Sequence, residues 1–259
     1  MTGRVRAALT LSAFLGMTLP CMAVQKLFLM AWPGMAERFP QAYHRRLAKI
    51  LGIKVNIKGH VPEKGPALIA ANHVSWLDIV ILSTAGRLSF VAKREVGQWP
   101  LFGSLARLQR SVFIERDRRH ATGVGRDEMK TRLANGDVLV LFAEGTSSDG
   151  SGVLPFKSAY FGAADLEGVA IHPCTIAYSG HRNLPMNRRM RPFYAWYGDM
   201  ELPHHLWEAV SNGPIEVDLI FHEPRRMTDP KARKEIARDC EADVRRGLAT
   251  ALHRRRDLR

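Results

Sequence analysis

The segment with the most chemical content is Asn72-His73-Val74-Ser75-Trp76-Leu77-Asp78. A histidine and an aspartate five positions apart suit proton transfer at a hydroxyl. Histidine ordinarily titrates at about 6.5, so its neutral ring can take a proton at neutral pH. A carboxylate on the other ring nitrogen fixes the tautomer and stabilises the imidazolium that forms. Such a pair serves ester formation from a thioester. His73 would strip the attacking hydroxyl and Asp78 would orient His73. The hydroxyl itself is the nucleophile, so no enzyme serine is required. The same spacing also fits a plain helix start, because Ser75 is a good N-cap and Asp78 follows three positions later, as in a capping box. Taken alone, the pair leaves both readings open.

The elements that must position this pair read as α/β. Apolar or alternating runs predict strands over Val55 to Lys58, Ala67 to Ala71, Leu88 to Ala92, Ser111 to Ile114, Val138 to Phe142, Ala170 to Ala177, Phe193 to Tyr197 and Ile215 to Phe221. Helical stretches fall at Trp76 to Ser83, Leu101 to Leu108, Arg119 to Ala134 and Ser158 to Leu166, with a C-terminal helix over Asp229 to Leu252. Arg45 to Leu51 reads as the end of a helix that stops at Gly52. This alternation predicts a single domain built on a mostly parallel sheet, flanked by helices on both faces. His73 then sits in the turn between an apolar strand and a helix, with Asp78 in the first helical turn.

The 259 residues divide into an N-terminal membrane-associated segment (1–36), a catalytic domain (37–228) and a basic C-terminal helix or tail (229–259). Ala7 to Gln25 carries no charge and spans roughly 28 Å as a helix, close to the thickness of a bilayer core. Pro20 lies inside that stretch and predicts a kink or a break. Three readings compete: a cleaved signal peptide, a single transmembrane helix, and a hairpin broken at Pro20 that lies partly in one leaflet. The net charge of +13 favours an anionic partner. Beside so apolar an N-terminus, the expected partner is a membrane surface with anionic lipid, not nucleic acid. Three scattered cysteines form no C-x-x-C and fit a reducing compartment.

Three further segments follow the first in a fixed order. Val112-Phe113-Ile114-Glu115-Arg116, Phe142-Ala143-Glu144-Gly145-Thr146 and Ile171-His172-Pro173-Cys174 lie downstream of Asn72-His73-x4-Asp78. Together the four resemble the ordered blocks of the glycerolipid acyltransferase family, which includes 1-acylglycerol-3-phosphate acyltransferases. Lys93-Arg94-Glu95 and Trp99-Pro100-Leu101-Phe102-Gly103 resemble the family's segment between the first two blocks. The resemblance covers roughly Lys54 to Tyr178.

It implies His73 and Asp78 as the catalytic pair, and Asn72, Arg116, Glu144, Gly145, Thr146 and Pro173 as substrate-site residues. Arg116 would grip an anionic headgroup, Glu144-Gly145-Thr146 would bind the acceptor with Glu144 anchoring the loop, and Pro173 would shape the wall. The implied co-substrates are a lysolipid acceptor and an acyl thioester of acyl carrier protein or coenzyme A, with no metal or cofactor. Because both donors are cytosolic, the N-terminus is expected to be retained at the inner membrane, with the catalytic domain facing the cytoplasm.

One departure matters. The arginine that follows E-G-T in the family is Ser147 here, and Asp149 adds a negative charge. Leu154 to Ala159, Trp196-Tyr197-Gly198-Asp199-Met200 and Pro203-His204-His205-Leu206-Trp207 look most like the bacterial lyso-ornithine lipid O-acyltransferase branch. The expected acceptor is therefore an amino-acid-headed lysolipid, with 1-acylglycerol 3-phosphate as the alternative. Other classes fit less well. The G-x-S-x-G of a serine hydrolase, a P-loop and the dinucleotide fingerprint are not matched. His172, His204 and His205 lack metal-ligand spacing. A non-enzymatic basic membrane- or nucleic-acid-binding protein would explain the charge but not the ordered blocks.

Overall fold

A computed structural model describes residues 3–115, 121–227, 229 and 232–254. Its strands are β1 (Ile53–Lys58), β2 (Ala67–Ala71), β3 (Ser89–Lys93), β4 (Val112–Ile114), β5 (Val138–Phe142), β6 (Ala170–His181), β7 (Leu184–Pro185) and β8 (Ile215–Phe221). They form one sheet in the order β1-β8-β6-β2-β5-β3-β4, with β7 beside β6. Pairing is parallel except where β6 meets β7 and β8.

The central strands are apolar on both sides, and their residues alternate between two cores. Ala67, Ile69 and Ala71 of β2, with Val138, Val140 and Phe142 of β5, join one cluster. Leu68 and Ala70, with Leu139 and Leu141, join the other. This is the period of two that a strand imposes. The first cluster is covered by α1 (Gly3–Ala31), α2 (Pro33–Leu51), α3 (Leu77–Ala85) and α6 (Leu202–Asn212). The second is covered by α5 (Ala121–Ala134), α7 (Arg233–Arg254) and a 3-10 segment over Ser158–Ala164. The short helix α4 (Phe102–Leu108) packs against the end of α1. α2 ends at Gly52, whose φ of 73° gives the left-handed cap that glycine adopts without strain.

The N-terminus departs from expectation. α1 runs unbroken through Pro20, and the chain turns at Trp32 instead, ahead of Pro33. A proline inside a helix costs about 3 kcal/mol. Here α1 lies along the domain, and the packing of Ala7, Phe14 and neighbouring Leu11 against α2 and α6 outweighs that cost. α2 also contains a proline, Pro40, which leaves the Ala36 carbonyl without its helical donor. Gln25 of α1 supplies one, with Nε2 to Ala36 O at 2.9 Å. A boundary at residue 36 therefore falls inside a continuous helix and across a packed helix pair.

The helical stretch expected from Ser158 is present in 3-10 form over Ser158–Ala164. One other expectation needs correction. Phe193 to Tyr197 is not a strand: a 3-10 turn over Arg191–Phe193 leads into irregular chain. Its Trp196 amide donates to Val74 O at 2.9 Å, so the segment is tied to the turn after β2 and not to a sheet neighbour.

Candidate active site

β2 and β5 are parallel neighbours, with Ala71 level with Phe142. The chain segments leaving their C-terminal ends therefore start side by side, which is where ligands bind in open parallel sheets. His73 leaves β2 and Glu144 leaves β5, and the two meet directly. The His73 amide donates to Glu144 Oε2 at 2.8 Å, and the Leu154 amide donates to Oε1 at 2.7 Å. Burial pushes the Glu144 carboxyl up to about 8, while these two N–H groups pull it back down.

Asp78 reaches back from the first turn of α3, as the sequence predicts, and its carboxylate is fully buried. Oδ2 accepts from the Val74 amide at 2.7 Å, the Ser75 amide at 2.9 Å and His73 Nδ1 at 2.8 Å. Half of the capping box is thus formed, and the same oxygen also holds the imidazole. Oδ1 accepts from Tyr178 Oη at 2.8 Å. Burial first, and the Asp78 charge second, hold the Tyr178 phenol far above its ordinary range, so it stays a donor. A carboxylate can only accept, so Nδ1 carries the proton and Nε2 keeps its lone pair.

The rest of His73 is equally constrained. Its ring stacks on Phe142, with centroids 3.9 Å apart and planes 16° apart. Its carbonyl accepts from the Ser148 amide at 2.9 Å and the Ser148 hydroxyl at 3.2 Å. The side chain is nonetheless 19% exposed, and it lines a cavity of about 700 Å³. Gly145, Thr146, Ser147 and Trp196 stand around the same space. The cavity continues past Phe90 and Phe102 to Phe14, Thr18, Cys21 and Met22 of α1, and to Phe39 and Tyr43 of α2. Its lining is mostly apolar, and its size suits a hydrocarbon chain.

Not every expected residue joins the site. Asn72 is fully buried, with Nδ2 on Ile176 O at 3.0 Å and Oδ1 on Ile176 N at 2.8 Å. Its amide extends the pairing of β2 with β6 and does not reach the cavity. Pro173 lies within β6 beside Ala70 and is absent from the cavity wall, because both strands are in the sheet interior. Glu144 is also off the wall and braces the His73 backbone from behind. Arg116 lies outside the described residues. Tyr178 and Ser148, which lock Asp78 and His73, carry no local sequence signal. Tyr178 is 100 residues from Asp78 and reads only as one more buried strand residue.

A family model described as "Acyltransferase" matches residues 52–177, the span that holds this turn. The lyso-ornithine lipid O-acyltransferase of Brucella abortus is 43% identical, covering 97% of each chain. The chain belongs to the acyltransferase family. The enzyme of the same description from Rhizobium meliloti is 39% identical over 98% of this chain and 90% of its own. The fold matches the crystal structure of the 1-acyl-sn-glycerophosphate acyltransferase PlsC from Thermotoga maritima, with a TM-score of 0.65 and 24% identity. That match covers 96% of this chain and 94% of the other. This acyltransferase therefore has its histidine–aspartate turn inside the family-matched region, while α1 and α2 lie ahead of it.

Proposed function

We propose that the protein transfers an acyl chain from a thioester, on acyl carrier protein or coenzyme A, to the free hydroxyl of a lyso-ornithine lipid. One observation carries this reading. His73 is held at Nδ1 by a buried carboxylate, which leaves Nε2 as the basic nitrogen at the head of a mostly apolar cavity. The acceptor hydroxyl gives its proton to Nε2 as its oxygen attacks the thioester carbonyl. Asp78 stabilises the imidazolium. The tetrahedral intermediate then breaks its C–S bond, and the departing thiolate takes the proton from Nε2. The acyl chain lies along the cavity toward α1. Gly145 and Thr146 contact the acceptor, and Arg116 holds its anionic group. The reaction as written needs no metal or cofactor.

The acceptor reading is supported by the near-full-length relatives and by Ser147 in place of an arginine that would meet a phosphate. The membrane reading is supported by α1, which is long and apolar enough to cross a bilayer. Its inner face packs on the domain, while Leu9, Leu15, Leu19, Leu27 and Met30 are exposed on the outside. A helix bound along one side in this way lies in one leaflet as part of a hairpin. The surplus of +13 then meets anionic lipid, and the cytosolic donors place the catalytic face at the cytoplasmic side of the inner membrane. Nucleic acid has no part in this scheme.

The test is an assay of the purified protein with lyso-ornithine lipid and lysophosphatidate in parallel, each with both thioester donors. Esterification of lyso-ornithine lipid is expected. Turnover of lysophosphatidate alone would reject the acceptor assignment.

A further inference from the structure

The Ser147 hydroxyl, at the position where the family pattern places arginine, donates to the carbonyl of Trp196. The Trp196 amide donates to Val74 O at 2.9 Å, within the histidine–aspartate turn itself. The Trp196 indole closes the segment by donating to Met200 O at 2.7 Å. Between them Gly198 takes a φ of 64°, where glycine is unstrained. Residues 196–200 are thus a short turn tied at Trp196 to Ser147 and to Val74, and Asp199 is its charged member. Asp199 lines the cavity with His73, and so do Trp196 and Trp99, whose rings meet edge to face at 5.7 Å. The serine that stands where the family pattern has arginine thus ties down the start of the segment that carries Asp199.

We infer that Asp199 is a specificity determinant that binds a primary ammonium on the acceptor headgroup, with Ser147 as its positioning residue. Ornithine acylated on one of its two amino groups keeps the other as an ammonium, beside its carboxylate. A carboxylate in a cavity that is also lined by two indoles is a chemically apt receptor for that group, through a charge-assisted hydrogen bond and cation–π contact. A phosphate headgroup gains nothing from this contact. The inference rests on the acceptor reading above and assigns it to a side chain.

The experiment pairs a protein change with a substrate change. Asp199→Asn, Glu95→Gln and the wild type are assayed with lyso-ornithine lipid and with the same lipid acetylated on its free amine. Glu95 is the control because it lines the same cavity, from the 3-10 turn Arg94–Gln98 that follows β3. For Asp199→Asn, KM for the parent lipid should rise roughly five- to tenfold with little change in kcat, as for loss of one partly solvated charged hydrogen bond. On the acetylated lipid, Asp199→Asn and wild type should match. An equal loss on both lipids, or no loss on either, overturns the inference. So does discrimination by Glu95→Gln in place of Asp199→Asn. Wild-type turnover of lysophosphatidate alone overturns the acceptor reading and this inference together. Turnover of both ornithine lipids without discrimination by Asp199→Asn overturns this inference and leaves the acceptor reading standing.

Discussion

The turn that carries His73 and the helix α1 line one cavity but are held by opposite means. The turn is fixed by directional bonds: four to the Asp78 carboxylate, one from the His73 amide to Glu144 and two from Ser148 to the His73 carbonyl. α1 is held by the apolar side chains of Ala7, Leu11, Phe14 and Met17, and by two buried polar ones, Thr18 bonded to Tyr43 and Gln25 bonded to Ala36 and Leu108. Proton transfer needs a donor and acceptor at fixed angle and distance, which only hydrogen bonds impose. Holding a hydrocarbon chain needs surface and tolerance, which packing supplies.

That contrast can be broken at the turn first. His73→Ala should lower acyl transfer roughly 10²- to 10⁴-fold, the usual contribution of a general base. Vesicle binding should be unchanged, since α1 is untouched. A variant that retains activity would show that another group takes the proton. Tyr178→Phe leaves Asp78 Oδ1 without its phenol donor inside the core. A buried charged acceptor short of one bond costs about 1–3 kcal/mol. We expect kcat to fall about tenfold, with circular dichroism unchanged; an unaltered kcat would mean that three donors already fix the carboxylate. The smallest effect belongs to the other region. Leu19→Ser with Leu27→Ser removes two side chains that are 57% and 51% exposed on the outer face of α1. Full burial of a leucine contributes ~1.5–3 kcal/mol, so partial loss should weaken co-sedimentation with anionic vesicles severalfold. Turnover of acceptor dispersed in detergent should stay close to wild type.

The same contrast explains what the sequence made legible. His73 and Asp78 are five residues apart, and their contact is set by one strand, one turn and the start of one helix. Those are local features, and a pattern of residue types exposes them. The sheet was legible for a similar reason, since β2 and β5 are short apolar runs between breaks. Asn72 misled because an amide beside a histidine of this kind has two uses, and only the position of Ile176, 104 residues away, decides between them. Pro20 misled because helix propensity is a local preference that packing along a whole domain can override. The Trp196 segment looked like a strand because burial makes a run apolar whether or not it joins a sheet.

α1 has two sides with different audiences. Phe14, Thr18, Cys21 and Met22 face the cavity, while Leu9, Leu19 and Met30 face outward. The anchor and the wall of the binding chamber are one object. Removing residues 1–36 to gain a water-soluble enzyme would not trim a tether; it would open one side of the cavity proposed to hold the acyl chain. Interfacial kinetics follow from the same geometry. On the membrane reading proposed above, the concentration that governs rate is molecules per unit area of bilayer, and anything that loosens the helix from that surface also reshapes the cavity that His73 lines.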